Sequence, residues 1–210
     1  MSCPVSRPFR PHHIAFVLAA LVSLGAPPAS AQSPNDPIKQ PVTAAACKPQ
    51  PGKPYFVEFR SRTAASYGHS FLLHGRLGAP GKFAKFEVAG LHPKGYEPEV
   101  YMQGHVMPVP AETGASWGDL DEQYLTARYC VVLSEAEYKR TAAYIRRLQA
   151  TSKEWYAPVN NCNSFIGDVA RHMGLLAPPT PILLPEHFVT LIRELNGNAA
   201  TLKPGALASR

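Results

Sequence analysis

Residues 55–91 read YFVEFRSRTAASYGHSFLLHGRLGAPGKFAKFEVAGL, and this stretch decides the fold. In Tyr55 to Arg62, Val57 and Phe59 alternate with Glu58, Arg60 and Arg62, the period of a strand with one face buried. Gly68 to Leu77 predicts a second strand. Gly78-Ala79-Pro80-Gly81 is a turn signal leading into a third over Lys82 to Leu91, so a hairpin is expected. Outward from it, Glu99 to Val109 and Arg128 to Leu133 predict two more strands, with Pro108 and Pro110 ending the first or marking it as an edge.

Helices come after the strands. Ser134 with Glu137 forms a capping box, and Tyr138, Ala142, Ile145 and Leu148 recur at helical spacing. A second helix is expected from about Asn161 to Met173, with Phe165, Ile166, Val169 and Met173 inward and Gly174 as its C-terminal cap. A third spans Pro185 to Leu195, stopped by Gly197. No internal repeat is visible. Strands first and helices later predict an α+β domain, an antiparallel sheet packed against helices.

The ends are different in kind. Residues 1–31 carry Arg7 and Arg10, the apolar run Ile14 to Leu24 and Ala29-Ser30-Ala31, the pattern of a cleaved secretory leader. An apolar run of about a dozen residues is short of the roughly 20 needed to cross a bilayer, so no integral membrane span is expected. Residues 32–54, rich in Pro, Ala and Gln, are expected to be a flexible arm and 197–210 a disordered tail. The ordered domain should be 55–196. A periplasmic or secreted location follows.

The chain has 21 basic against 15 acidic residues, and 19 against 15 once Arg7 and Arg10 leave with the leader. The excess is mild and scattered, with no basic stripe interleaved with aromatics, so no nucleic-acid partner is expected. Cys3 leaves with the leader, which sends Cys47, Cys130 and Cys162 as an odd set into an oxidising compartment. Spacings of 83 and 32 residues exclude a CxxC pattern. Cys130 lies in a strand and Cys47 in an arm that could run along the sheet, so those two make the natural staple and Cys162 the odd thiol.

Cys162 lies in Asn160-Asn161-Cys162-Asn163-Ser164-Phe165, at a helix start. Free N–H groups and the helix dipole there favour an anion, which lowers a thiol pKa and could serve an oxyanion. Asn161 is expected to cap this helix, with a possible second use as an oxyanion donor. His69, in Gly68-His69-Ser70-Phe71, is a candidate base, because a thiol nucleophile needs an imidazole within hydrogen-bond reach. A structural cysteine and a core histidine are the competing readings. His74 falls on the opposite face of its strand from His69 and reads as structural. No HExxH or paired Cys/His spacing points to a metal, and thiol acyl transfer needs no cofactor.

Histidine first on a strand in Gly-His-x-Phe, and cysteine later in Asn-Asn-Cys-x-x-Phe at a helix start, resembles the circularly permuted papain-like branch of the NlpC/P60 superfamily, which includes relatives of lecithin–retinol acyltransferase. The resemblance covers about Tyr55 to Met173. It implies a papain-like domain and cysteine peptidase or amidase chemistry on an amide or ester, through an acyl-enzyme. Peptide, peptidoglycan stem peptide or lipid are the substrates it suggests, and the protein is expected to act as a monomer. The family's third, orienting residue sits on the strand after the histidine. A hairpin turning near Pro80 sets His69 opposite residues near 91, which makes His92 the best-placed candidate, with Glu87 on the solvated side and His105 more remote.

Two other readings stay open: an acyltransferase or lipid hydrolase on the same fold, and a noncatalytic exported binding protein in which Cys162 is tied up. Trp117, Trp155 and Tyr156 are candidates to line a groove. The segment from Glu112 to Leu125, with Gly114 and Gly118, is a candidate lid.

Overall fold

The computed structural model describes residues 38–63, 68–203 and 207. The expected leader lies outside the described residues. Among them, no helix is long and apolar enough to cross a membrane.

The N-terminal half forms the expected sheet. β1 (Tyr55–Arg62) pairs antiparallel with β2 (His69–Leu77), which pairs with β3 (Phe83–Ala89). The β2–β3 pairing ends at Leu72↔Ala89, three residues short of position 69 on β2. A short second sheet is made by β4 (His92–Pro93), β5 (Val109–Glu112) and, later in the chain, the strand Glu154–Trp155. Between β4 and β5 the chain departs from expectation. Pro98–Gln103, read as the start of a strand, is a helix, α1, with Pro98 in its first turn and Gly104 as its C-cap. Pro98 has φ preset for a first turn and Glu99 is favourable there, signals that the apolar run through Val100 and Met102 obscured.

β6 (Leu125–Leu133) completes the first sheet beside β1, in the order β3-β2-β1-β6. α2 (Glu135–Thr151) begins at the Ser134 capping box, where Ser134 N donates to Glu137 Oε2 at 2.7 Å and Glu137 N donates to Ser134 Oγ at 3.3 Å. β7 (Glu154–Trp155) precedes α3 (Cys162–His172), and α4 (Pro185–Leu195) ends the helical part. The expected helices therefore form, and the domain is α+β.

Strand alternation divides the core. Val57, Phe59 and Leu72 join Ile166, Val169, Phe188 and Ile192 in one cluster between sheet and helices. Phe56, Phe71, Leu73 and Val132 face the other way, onto Ala44 and the Cys47–Cys130 disulfide. That second cluster corrects the flexible arm. Ala44 N donates to Gly81 O at 3.0 Å and Thr43 N to Glu122 Oε1 at 2.8 Å, so residues 38–54 are packed across the sheet.

The arm also buries the face expected to be solvated. Glu58 and Arg60 are fully covered, and Arg60 donates to Glu58, to Glu122 and to the Thr43 carbonyl. Arg60 thereby gains the partners that a buried charge requires. The expected tail is likewise held where it is described: Val132 N donates to Ala200 O at 2.8 Å, and Leu202 is buried. Both corrections share one cause, since composition reports local polarity and not which distant segment will cover it.

Candidate active site

Cys162 opens α3, whose first turn is closed by Asn161. The Asn161 Oδ1 accepts from Ser164 N at 3.0 Å, and Ser164 Oγ accepts from Asn161 N at 2.8 Å. The Asn161 amide donates to the carbonyls of Ala157 at 2.6 Å and Pro181 at 3.2 Å. Its donor hydrogens are thus committed to positioning the helix start, so the capping role is the one seen and the oxyanion role has no hydrogen left to serve it. With Cys47 and Cys130 paired, Cys162 is the free thiol among the described cysteines, and it is buried.

His69 opens β2 and is 6% exposed; His92 opens β4 and is 3% exposed. Their rings meet edge to face with centroids 5.8 Å apart. Both border a narrow cavity also lined by Cys162, Arg62, Tyr101 and Trp155. Three of the residues singled out by sequence are therefore gathered at one place from strands and a helix far apart in the chain.

Alternation along β2 adds a detail. Ser70 and Leu72 face α3, whereas His69 shares a face with Phe71, its ring stacked on Phe71 at 5.8 Å. His69 reaches the cavity because it is the end residue of the strand. The side chain that meets the cysteine helix squarely is Ser70, whose Oγ donates to Asn163 Oδ1 at 2.8 Å. Ser70 also lies next to the Cys162 thiol and acts to lower its pKa. Sequence reasoning missed Ser70, although its place next to His69 meant that it had to project to the opposite face.

The remaining candidates fall elsewhere. Glu87 is exposed, as expected. His105 is exposed, and its ring lies against Trp155 with centroids 5.8 Å apart. His74 is buried on the helix side of β2, with Nδ1 3.2 Å from Tyr138 Oη, which makes it structural. Trp155 lines the cavity, whereas Trp117 packs on Tyr124. The candidate lid is pinned at its base. Asp121 accepts from Lys39 N at 2.8 Å and Gln40 N at 2.9 Å, and Asp119 is buried.

Burial dominates the electrostatics. It pushes the Cys162 thiol up, against the Ser70 hydrogen bonds, the Asn163 N–H and the positive charge of Arg62. Lowering by the helix start was expected; desolvation outweighs it here. Burial, with Arg62 and His92 beside it, holds His69 well below its usual range. At neutral pH Cys162 therefore rests as a neutral thiol and His69 as a neutral imidazole.

A second opening adjoins the thiol. A groove of about 320 Å³ is lined by Cys162, Ala157, Pro158, His105 and the segment Pro181, Ile182, Leu183, Leu184 and Pro185. No Asp, Glu, Lys or Arg contributes to that lining. Among the described residues no group of three or more His, Cys, Asp or Glu is arranged to hold a metal ion. No protein-family model, curated protein or solved structure matches this chain.

Proposed function

We propose that this protein is an exported cysteine hydrolase with a permuted papain-like arrangement, in which Cys162 is the nucleophile and His69 the base. The observation that carries the reading is the unpaired, buried thiol at the first turn of α3, lining one cavity with His69 and His92 while the other two described cysteines are paired. The disulfide is consistent with export.

The chemistry follows from the resting state. A neutral imidazole is able to accept the thiol proton as sulfur attacks a carbonyl carbon, so the thiolate is generated only with the reaction. Ser164 N–H is taken by Asn161 Oδ1 and Phe165 N–H by the Asn161 carbonyl. The Asn163 N–H is turned on the thiol itself, so the N–H of Cys162 is the helix-start donor left to receive the oxyanion. The imidazolium then returns its proton to the departing amine or alcohol. Water, activated by His69, releases the acyl group.

The groove favours one branch of the substrate range. Its lining is largely apolar and holds no Asp, Glu, Lys or Arg, which suits an uncharged, apolar acyl portion better than a charged peptidoglycan stem. An ester or amide of an apolar acid is accordingly the substrate class we place first, with transfer to another acceptor as the variant on the same acyl-enzyme. The noncatalytic binding reading loses the pairing of Cys162 that would have supported it.

The test is alkylation of the non-reduced protein with iodoacetamide across pH, followed by intact mass and peptide mapping, beside a His69→Ala variant. A single adduct at Cys162, with a component near neutral pH that disappears in the variant, is expected. An inert Cys162, or labelling indifferent to His69, would return the chain to the binding-protein reading.

A further inference from the structure

The fourth side chain at His69 comes from a part of the chain that no motif marks. Asp119, in the turn between β5 and β6, has no exposed side-chain surface. Its Oδ1 accepts from Arg62 Nε at 2.8 Å and its Oδ2 from Ser116 N at 2.7 Å. Arg62 Nη2 donates to Ser116 Oγ at 3.1 Å, closing the arrangement. The carboxylate is thus immobilised, and Oδ2 lies 3.9 Å from His69 Nε2.

We propose that Asp119 is the positioning residue that orients His69, in the place that the sequence assigns to His92. This rests on the reading of Cys162 and His69 as nucleophile and base.

Three observations carry it. His69 Nε2 is buried and has no hydrogen-bond partner among the described residues. A buried polar atom so placed is costly unless it is satisfied, and Asp119 Oδ2, at 3.9 Å, stands only about 1 Å beyond bonding distance. Hydrogen bonds of this kind are commonly long before substrate arrives. Next, the ring rests on bare backbone: a Cβ at Gly90 would come within 3.0 Å of Nε2, so glycine leaves the imidazole room to close the gap.

Finally, His92 is less suited to the task. Its Nδ1 lies 3.0 Å from the Pro93 carbonyl, which can only accept, so Nδ1 carries a hydrogen and is committed to that carbonyl. An imidazole at position 92 brings no negative charge to the imidazolium that forms when His69 takes the thiol proton. Asp119 does, in surroundings where the other groups at the cavity are the Arg62 cation, His92, the Tyr101 phenol and the thiol itself. With Nε2–H committed to Asp119, Nδ1 is the nitrogen that accepts the proton.

Two readouts test this on the full mature chain. The first is the ring ¹⁵N shifts of His69, which report its tautomer without involving Cys162. The second is the pH profile of Cys162 alkylation in wild type, Asp119→Asn and His92→Ala. We expect His69 in the Nε2–H form. In Asp119→Asn the neutral-pH rate should fall at least about tenfold, while the limiting rate at high pH, where hydroxide makes the thiolate, stays within about twofold. In His92→Ala, which removes the ring beside His69, the neutral component should fall less than in Asp119→Asn.

A wild-type His69 carrying its hydrogen on Nδ1 overturns the assignment. So does an unchanged neutral rate in Asp119→Asn, or a parallel fall at both ends of the profile, which a merely structural role would give. If His69→Ala leaves alkylation unaltered, the nucleophile–base reading fails, and the tautomer still decides whether Asp119 holds His69. Should Asp119→Asn not fold, the wild-type tautomer alone decides.

Discussion

Removing the Cys47–Cys130 link in a Cys47→Ala/Cys130→Ala variant tests whether the arm is part of the fold. The disulfide closes a loop across a sequence separation of 83. Chain entropy for a loop of that length corresponds to about 4–5 kcal/mol of stabilisation, acting on the unfolded chain. The arm keeps other anchors in the native state, from Ala44 N to Gly81 O and from Arg60 Nη2 to Thr43 O. The folded variant should therefore keep its near-UV spectrum and the labelling of Cys162. Urea unfolding without reductant is the assay: with a slope of about 2 kcal/mol/M, the midpoint should fall by about 2 M. A shift under about 0.5 M would refute the argument, as would a variant whose arm is digested while the sheet stays folded.

Replacing Ser70 with alanine removes a neighbour that lowers the Cys162 pKa and leaves the buried Asn163 Oδ1 without its donor, so neutral-pH alkylation should slow several-fold and the urea midpoint should fall. His74 provides a pH test of stability. Burial, partly opposed by Glu87, lowers it from 6.5 to about 4, so between those values the unfolded chain holds the extra proton and stability falls as pH drops. Between pH 7 and 4.5 this amounts to about 2 kcal/mol. Urea titrations should show that His74→Gln loses that part of the pH dependence, and an identical slope in both proteins would remove His74 as its source.

Local chemistry explains why so much was legible in the chain. β1, α2, α3 and α4 depend on alternation, on the capping pairs at Ser134 and Asn161 and on Pro185, and these act within a few residues of one another. The β2–β3 hairpin followed from the turn near Pro80, and its pairing runs as far as Leu72↔Ala89. The one element of the wrong type, α1, carried its start signal in Pro98 and Glu99; its apolar residues were read with the wrong period.

By itself, then, the sequence determined the α+β order, the hairpin register, the odd cysteine and its place at a helix start, because each rests on short-range geometry or on counting. Only the tertiary structure decided that the arm covers Glu58 and Arg60, that Ser70 meets the thiol, that desolvation outweighs the helix start at Cys162, and that Asp119 arrives beside His69. Those outcomes depend on which distant surfaces exclude water from one another, and burial of that kind is a property of the assembled layers.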